Sequence, residues 1–254
     1  MTDFSLSGKV ALVTGASGGL GLHFAEVLAA NGATVILAAR REDKIEKAAQ
    51  VINSNGGTAL AVALDVTDET SIDRAFSYVE NERGVIDVIV NNAGIATNGA
   101  AIDVTLDDWR RVMATNLDGA FLVSRRAARS LIDEHRPASI INIGSILGAR
   151  TAGAVLPYTV SKAGLHHMTK VLALEWARYN IRVNAITPGY IETDINRDYL
   201  NSPEGQKLIK RIPSRRPGKM DDLDGPLLLL ASDQSLYMTG SIIAIDGGHL
   251  VSTL

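Results

Sequence analysis

Val10-Ala-Leu-Val13 followed by Thr14-Gly-Ala-Ser-Gly-Gly-Leu-Gly21, and then by an apolar-periodic stretch over residues 22–30, decides the fold. A short apolar run, a glycine-rich turn and an amphipathic stretch read as strand, turn and helix. Gly15, Gly19 and Gly21 follow G-x-x-x-G-x-G spacing rather than G-x-G-x-x-G. Glycines allow a tight turn and let a ligand approach the backbone, and a helix N-terminus favours a phosphate. At the first crossover of the chain, this points to nucleotide binding.

The same alternation continues outward. Strands are predicted at 10–13, 34–38, 59–64, 87–90, 139–143, 182–186 and 241–245, with helical patterns between them. Asp68 is placed to cap the third helix and Asp221 a late one. The apolar runs lack strict alternation, which suits strands covered on both faces. Strand–helix alternation predicts an α/β, doubly wound, three-layer Rossmann fold around a seven-stranded parallel sheet. Ligands of such sheets bind beyond the carboxyl ends of the strands. Residues 191–219 break the pattern: they are long and charged, with Pro203, Pro213 and Pro217. A segment of this kind predicts a substrate lid at about 190–219, with one or two short helices.

The bulk properties narrow the classes. The chain has 254 residues, 46% of them hydrophobic, and no linker or low-complexity tract divides it, so residues 1–254 are read as one domain. A net charge of −3 gives no electrostatic footprint for nucleic acid. There is no cysteine, hence no disulfide framework and no thiolate chemistry. The first residues lack the layout of a signal peptide, and no apolar run approaches the roughly 20 residues that span a bilayer. A soluble cytoplasmic protein without a membrane partner is the expectation. His23, His135, His166, His167 and His249 show no metal-ligand spacing, and no catalytic metal is expected. Of these, His249 stands where a C-terminal segment can reach a neighbouring subunit's pocket.

Pro157-Tyr-Thr-Val-Ser-Lys162 opens a second long helical pattern. Tyr158 and Lys162, one helical turn apart, share a face. A free tyrosine, with a pKa of about 10, is a poor base near neutrality. A cation beside it favours the phenolate and lowers that value. The pair reads as a proton donor and acceptor with its own tuning device.

Together with Asn91-Asn-Ala-Gly94, Asn116, Ser145 in Ile143-Gly-Ser145, and Pro188-Gly189, these motifs occur in one order along nearly the whole chain. In that order the sequence resembles the short-chain dehydrogenase/reductase family. The resemblance implies a catalytic tetrad of Asn116, Ser145, Tyr158 and Lys162. The Ser positions the substrate oxygen and the Tyr exchanges a proton with it. The Lys lowers the Tyr pKa and holds the nicotinamide ribose, and the Asn stabilises a water of the proton relay. It also implies a dinucleotide along Gly15, Ser17, Gly18, Gly19, Leu20 and Gly21, at Arg40 and Arg41, at Asp65 (on the adenine) and Val66, and at Asn92, Ala93 and Gly94. Pro188, Gly189, Ile191 and Thr193 complete that set beside Tyr158 and Lys162. Ala39 stands where NAD-using relatives carry Asp, and two guanidiniums follow it. They suit a 2′-phosphate, so NADP(H) is expected in preference to NAD(H).

The expected activity is interconversion of a carbonyl and a secondary alcohol by hydride transfer. The substrate pocket is expected between the lid and residues 146–156, which are small and apolar with one charge, Arg150. The resemblance offers two specific activities. Reductases of 3-oxoacyl thioesters tend to carry a basic residue where this chain has Leu174. Polyol and sugar-acid dehydrogenases share Pro188-Gly-Tyr190 with Thr193. A non-catalytic NADP-binding sensor is the alternative of another class, and the complete tetrad argues against it. Arg125, Arg126 and Arg129 are read as solvated or as part of a subunit interface rather than as a site for an acidic carrier. Helical stretches 105–133 and 156–179 carry Ala120, Ala127, Ala128, Leu172 and Ala173. By resemblance such helices pair across two-fold axes, giving a homotetramer.

Overall fold

The computed structural model describes residues 3–193 and 196–252. Seven parallel strands lie in the order β3-β2-β1-β4-β5-β6-β7. They are β1 (Val10–Thr14), β2 (Thr34–Ala39), β3 (Thr58–Ala63), β4 (Val88–Asn91), β5 (Ala138–Ile143), β6 (Ile181–Pro188) and β7 (Ile242–Ile245). The strand ends differ from the sequence reading by a residue or two, as hydrogen bonding rather than apolar content sets them.

Alternate residues of each strand feed two cores. Ala11 and Val13 of β1 pack with α1 (Gly19–Ala30), α2 (Glu42–Ser54) and α9 (Asp224–Ala231) through Phe24, Leu28, Ile45, Ile52, Leu227 and Leu230. Val10 and Leu12 face α3 (Glu69–Arg83), α5 (Gly119–Asp133) and α6 (Leu156–Trp176) through Phe76, Val79, Val123, Leu131 and Leu172. Both faces of the sheet are covered, which is why its strands are largely apolar without strict alternation. β1 pairs with β2 on one side and β4 on the other, so the strand order reverses there. That reversal opens the crevice in which such sheets bind ligands.

Asp68 caps α3, accepting from the Thr70 N–H at 2.9 Å. Asp221 caps nothing: it lies inside the short turn Met220–Leu223 that runs into α9. Its neighbour Asp222 accepts from the Lys219 N–H at 2.8 Å and from Arg216 at 2.6 Å. α4 (Leu106–Met113) continues into α5 through a wide, π-type turn, Ala114–Asp118. Ala120, Ala127, Ala128, Leu172 and Ala173 are 2–7% exposed, inside the chain's own core rather than on a pairing face. The large apolar side chains these helices present outward include Leu106, Phe121, Leu156, Val160, Val171 and Leu174. Arg125 pairs with Glu69 at 2.5 Å, and Arg126 with Glu80 at 2.7 Å and Asp73 at 3.2 Å, so both are tied to α3 of the same chain.

Candidate active site

The glycine turn and the β4 exit are locked together. Thr14 Oγ1 accepts from the N–H groups of Asn92 (3.0 Å) and Ala93 (3.1 Å), and Asn92 Nδ2 donates to the Thr14 carbonyl at 2.9 Å. Gly15 has φ +69°, and a Cβ there would lie 2.9 Å from Ala93 Cα. A Cβ on Gly21 would lie 2.5 Å from the Gly15 carbonyl oxygen. Glycine is required at both positions by this close approach. Gly18 and Gly19, in contrast, face open space. No side chain caps the N-terminus of α1 and no acidic residue stands in its first turn. Its free N–H groups therefore open onto a cavity of about 810 Å³ lined by Gly15, Ser17, Gly18, Gly19, Leu20, Gly21, Arg40, Arg41, Asp65, Val66, Asn92, Ala93 and Gly94. A bare glycine cradle, an uncapped helix N-terminus and two guanidiniums fit a phosphorylated dinucleotide.

Arg41 is ordered by the turn itself: Nε and Nη2 donate to Ser17 Oγ at 3.2 and 2.7 Å. Arg40 is 73% exposed and stands 3.9 Å from Asp65. Asp65 also accepts from the Thr67 N–H (2.9 Å) and hydroxyl (2.7 Å).

A second cavity, about 440 Å³, joins the first through Leu20, Asn92, Gly94, Ile95 and Thr193, which line both. Ser145, Tyr158, Lys162, Pro188, Gly189, Tyr190 and Ile191 line it further. The residues singled out at opposite ends of the sequence thus meet in one crevice. Of residues 146–156, only Ile146 and Leu147 contribute; Arg150 turns away, donating to the His249 carbonyl and to Ser252 Oγ (2.9 Å). Ile95, Ala96 and Asn196 take the wall positions expected of that loop. Nothing in their residue types marks them in advance.

The catalytic candidates are held from several elements. Lys162 is 4% exposed, and its Nζ donates to the Ile143 carbonyl at 2.7 Å. Burial pulls its pKa down to about 8. Nζ also lies 5.7 Å from the centre of the Tyr158 ring. Burial pushes the Tyr158 pKa up from its ordinary value, the Ser145 hydroxyl hydrogen-bonded to it pulls the other way, and Tyr190 raises it further. The expected lowering by Lys162 is absent from the protein without ligand, because the ammonium faces the ring and a carbonyl while desolvation of the phenolate dominates. Ser145 Oγ accepts from the Leu147 N–H at 3.1 Å. Asn116, 1% exposed, sits in the wide turn between α4 and α5. Its Oδ1 accepts from the Ile95 N–H and its Nδ2 donates to the Ile95 carbonyl, both at 2.8 Å, and Nδ2 reaches Ser161 Oγ at 3.1 Å. π-type turns are rare and concentrate at functional sites.

Among the described residues, one group of three side chains could hold a metal: His23, Asp221 and Asp224. None of the three lines the Tyr158 cavity, and His23 Nε2 is already 2.7 Å from Asp224. No helix among the described residues is long and apolar enough to cross a membrane.

A family profile described as enoyl-(acyl carrier protein) reductase matches residues 15–249. The chain belongs to the short-chain dehydrogenase/reductase family, and it is an oxidoreductase interconverting carbonyl and alcohol groups. It is 34% identical to the gluconate 5-dehydrogenase of Gluconobacter oxydans over 98% of this chain and 97% of that one. It is 38% identical to the 3-oxoacyl-(acyl-carrier-protein) reductase of Aquifex aeolicus, over 97% and 99%. The crystal structure of a gluconate 5-dehydrogenase from Burkholderia cenocepacia, in complex with NADP and tartrate, superposes with a TM-score of 0.95 at 34% identity, covering 99% of this chain and 98% of that one.

Proposed function

We propose that the chain reduces a small, hydroxyl-bearing carbonyl compound, or oxidises the corresponding alcohol, using NADP(H) in preference to NAD(H). The supporting observation is the junction of two cavities, one lined by the glycine turn and both arginines, the other by Ser145, Tyr158 and Lys162. When bound, the dinucleotide supplies or accepts the hydride. Arg40 and Arg41 hold its 2′-phosphate, and Asp65 and Val66 flank the adenine. Asn92, Ala93, Gly94, Ile191 and Thr193 line its remaining length.

The chain's own residues manage the oxygen and the proton. Ser145 fixes the substrate oxygen from one side, and Tyr158 donates a proton to it during reduction or removes one during oxidation. Two hydroxyls aimed at one oxygen stabilise the charge that develops there. Lys162 holds the ribose and restores the proton to Tyr158. Asn116 fixes the backbone at Ile95, where both cavities meet, and supports the relay beyond Lys162. Residues 190–219 act as the lid of what we treat as one domain; positions 194 and 195 lie outside the described residues. Its base is fastened by the Glu192 N–H to the Gly218 carbonyl (2.8 Å) and the Gly218 N–H to the Tyr190 carbonyl (2.9 Å). Between these lie α7 (Arg197–Asn201) and α8 (Pro203–Ile209).

A polyol or sugar acid is favoured over a carrier-bound thioester. Leu174 is 81% exposed on α6, where a basic residue would serve an acidic carrier, and the Burkholderia cenocepacia relative was solved with tartrate. We place the protein in the cytoplasm as a homotetramer, with Phe121, Val160, Val171 and Leu174 as the outward apolar side chains that association would cover. An NADPH-oxidation screen over ketones, 3-oxoacyl thioesters and keto sugar acids, with Tyr158→Phe as blank, tests the function. Activity confined to thioesters refutes the substrate class, and a light-scattering mass of one chain refutes the assembly.

A further inference from the structure

One buried polar side chain beside the site has no part in the mechanism above. His166 is 8% exposed, and its Nε2 is buried with no hydrogen-bond partner. It follows Tyr158 and Lys162 at helical spacing, so the three side chains form one row along α6. A buried polar atom without a partner costs stability and calls for a reason.

The reason lies in the two glycines flanking the Ser145 turn. A Cβ on Gly144 would lie 2.5 Å from His166 Nε2 and 2.9 Å from Thr187 Cγ2. A Cβ on Gly148 would lie 2.5 Å from His166 Cε1 and 2.8 Å from the Lys162 backbone carbon. Neither glycine has a positive φ, so backbone freedom does not account for them. Each is glycine because the imidazole occupies the space beneath it, together with Thr187 of β6 at Gly144 and the α6 backbone at Gly148. The turn between them is also pinned at both ends, by the Gly144 N–H to the Ile186 carbonyl (2.8 Å) and the Gly148 N–H to the Ser145 carbonyl (2.9 Å).

We infer that His166 is a positioning residue: its ring is the spacer on which the Gly144–Gly148 turn rests, setting the height of Ser145 above Tyr158 and Lys162. The inference rests on the catalytic reading of Ser145 given above. The ring serves as a shape, not as a proton carrier. Burial, and then the charges of Lys162 and Lys170 that face it, push its pKa down to about 4 and keep it neutral near pH 7. A neutral ring adds no second positive charge beside the Lys162 ammonium.

The test is a set of variants assayed for kcat and, separately, for NADPH affinity. His166→Ala leaves the turn unsupported, and a misplacement of the order of 1 Å lowers kcat by roughly ten- to a hundredfold. NADPH affinity, set by the first cavity and by Lys162 rather than by the Ser145 turn, is unchanged. His166→Leu refills the space without a titratable group and restores kcat toward wild type. Gly144→Ala lowers kcat in the wild type, where it collides with the ring and with Thr187, and costs less in the His166→Ala background, where only the Thr187 contact remains. That non-additivity is what a shared contact produces. Should His166→Ala fail to fold, the same Gly144→Ala cycle is run against His166→Val, a smaller side chain that still packs but leaves the space beneath Gly144 open. The inference is overturned if His166→Leu is as damaged as His166→Ala with NADPH affinity intact, since imidazole chemistry would then be needed. It is equally overturned if Gly144→Ala costs the same in both backgrounds. Ser145→Ala separates the two readings. If it is inactive while His166→Ala is fully active, only the spacer fails; if it keeps wild-type turnover, the reading of Ser145 falls and the spacer with it.

Discussion

Replacing Arg41 by alanine probes the cofactor preference where the two arginines differ most. Arg41 is held against the glycine turn by two hydrogen bonds to Ser17, so its guanidinium is already placed at the end of the first cavity. A charge-assisted hydrogen bond is worth about 1.5–3 kcal/mol. Little ordering entropy is lost at a side chain already fixed, so Arg41→Ala weakens NADPH binding by about ten- to a hundredfold. Arg40 is 73% exposed and shares its charge with Asp65 at 3.9 Å. Exposed pairs are worth at most about 1 kcal/mol, so Arg40→Ala costs no more than about fivefold. NADH, lacking the 2′-phosphate, binds all three proteins alike. Raising the salt concentration narrows the preference, since exposed charges are screened. Fluorescence titration of NADPH and NADH into the wild type and both variants, at low and high salt, measures each quantity. Equal wild-type affinities refute the preference. Equal weakening of NADPH and NADH by Arg41→Ala refutes the phosphate contact, and a larger effect at Arg40 refutes the argument from preorganisation.

Tyr158→Phe keeps the ring and its packing, so NADPH binding survives while turnover falls by on the order of a hundredfold, read by steady-state kinetics. In the protein without ligand, burial favours the neutral phenol, so an ultraviolet titration finds Tyr158 ionising above its ordinary value, a signal missing in Tyr158→Phe; ionisation below that value contradicts the reading. Asn116→Ala removes both hydrogen bonds to Ile95, whose half-buried backbone groups can then turn to water; it lowers stability by about 0.5–1.5 kcal/mol per bond in urea unfolding and reduces turnover as well. His166 has a pKa near 4 when folded against 6.5 unfolded, so the unfolded chain binds more protons between these values. Stability therefore falls as pH drops from about 6.5 and levels off below about 4, and His166→Leu makes that slope shallower in melting temperature against pH.

The sheet, the glycine turn and the Tyr158–Lys162 pair were legible in the sequence because each rests on local periodicity or spacing. The crevice at the β1–β4 reversal follows from them, since the Thr14 turn and the Asn91–Gly94 segment both sit at strand exits. What stayed hidden depends on burial or on which way a helix faces. Residue type places a cation next to Tyr158 but is silent on the desolvation that outweighs it. Alanines and leucines of α5 and α6 look equally suited to a core or to a partner, and only packing assigns Ala127 and Leu172 to the core and Leu174 to the surface. The wide turn at Ala114–Asp118 leaves no mark in composition, because it is made by backbone hydrogen bonds one residue out of step. Arg150 was the one charge in an apolar loop, and nothing local told that it would reach past the cavity to the C-terminal residues.

That reach has a practical consequence for anyone handling the protein. Arg150 joins the Ser145 loop to His249 and Ser252, the His249 ring lies 5.7 Å from that of Tyr190, and the Gly247 carbonyl accepts from the Ser214 N–H at 3.1 Å. Residues 247–252 are thereby tied to the loop that carries Ser145 and to the segment that covers the substrate cavity, without lining that cavity themselves. A purification tag, fusion partner or immobilising linker attached beside Ser252 pulls on that fastening, and any shift it passes to the Ser145 loop would be read as altered specificity. Handles placed at the other end of the chain, or in the exposed 3₁₀ turn Ala101–Asp103, leave that clasp undisturbed.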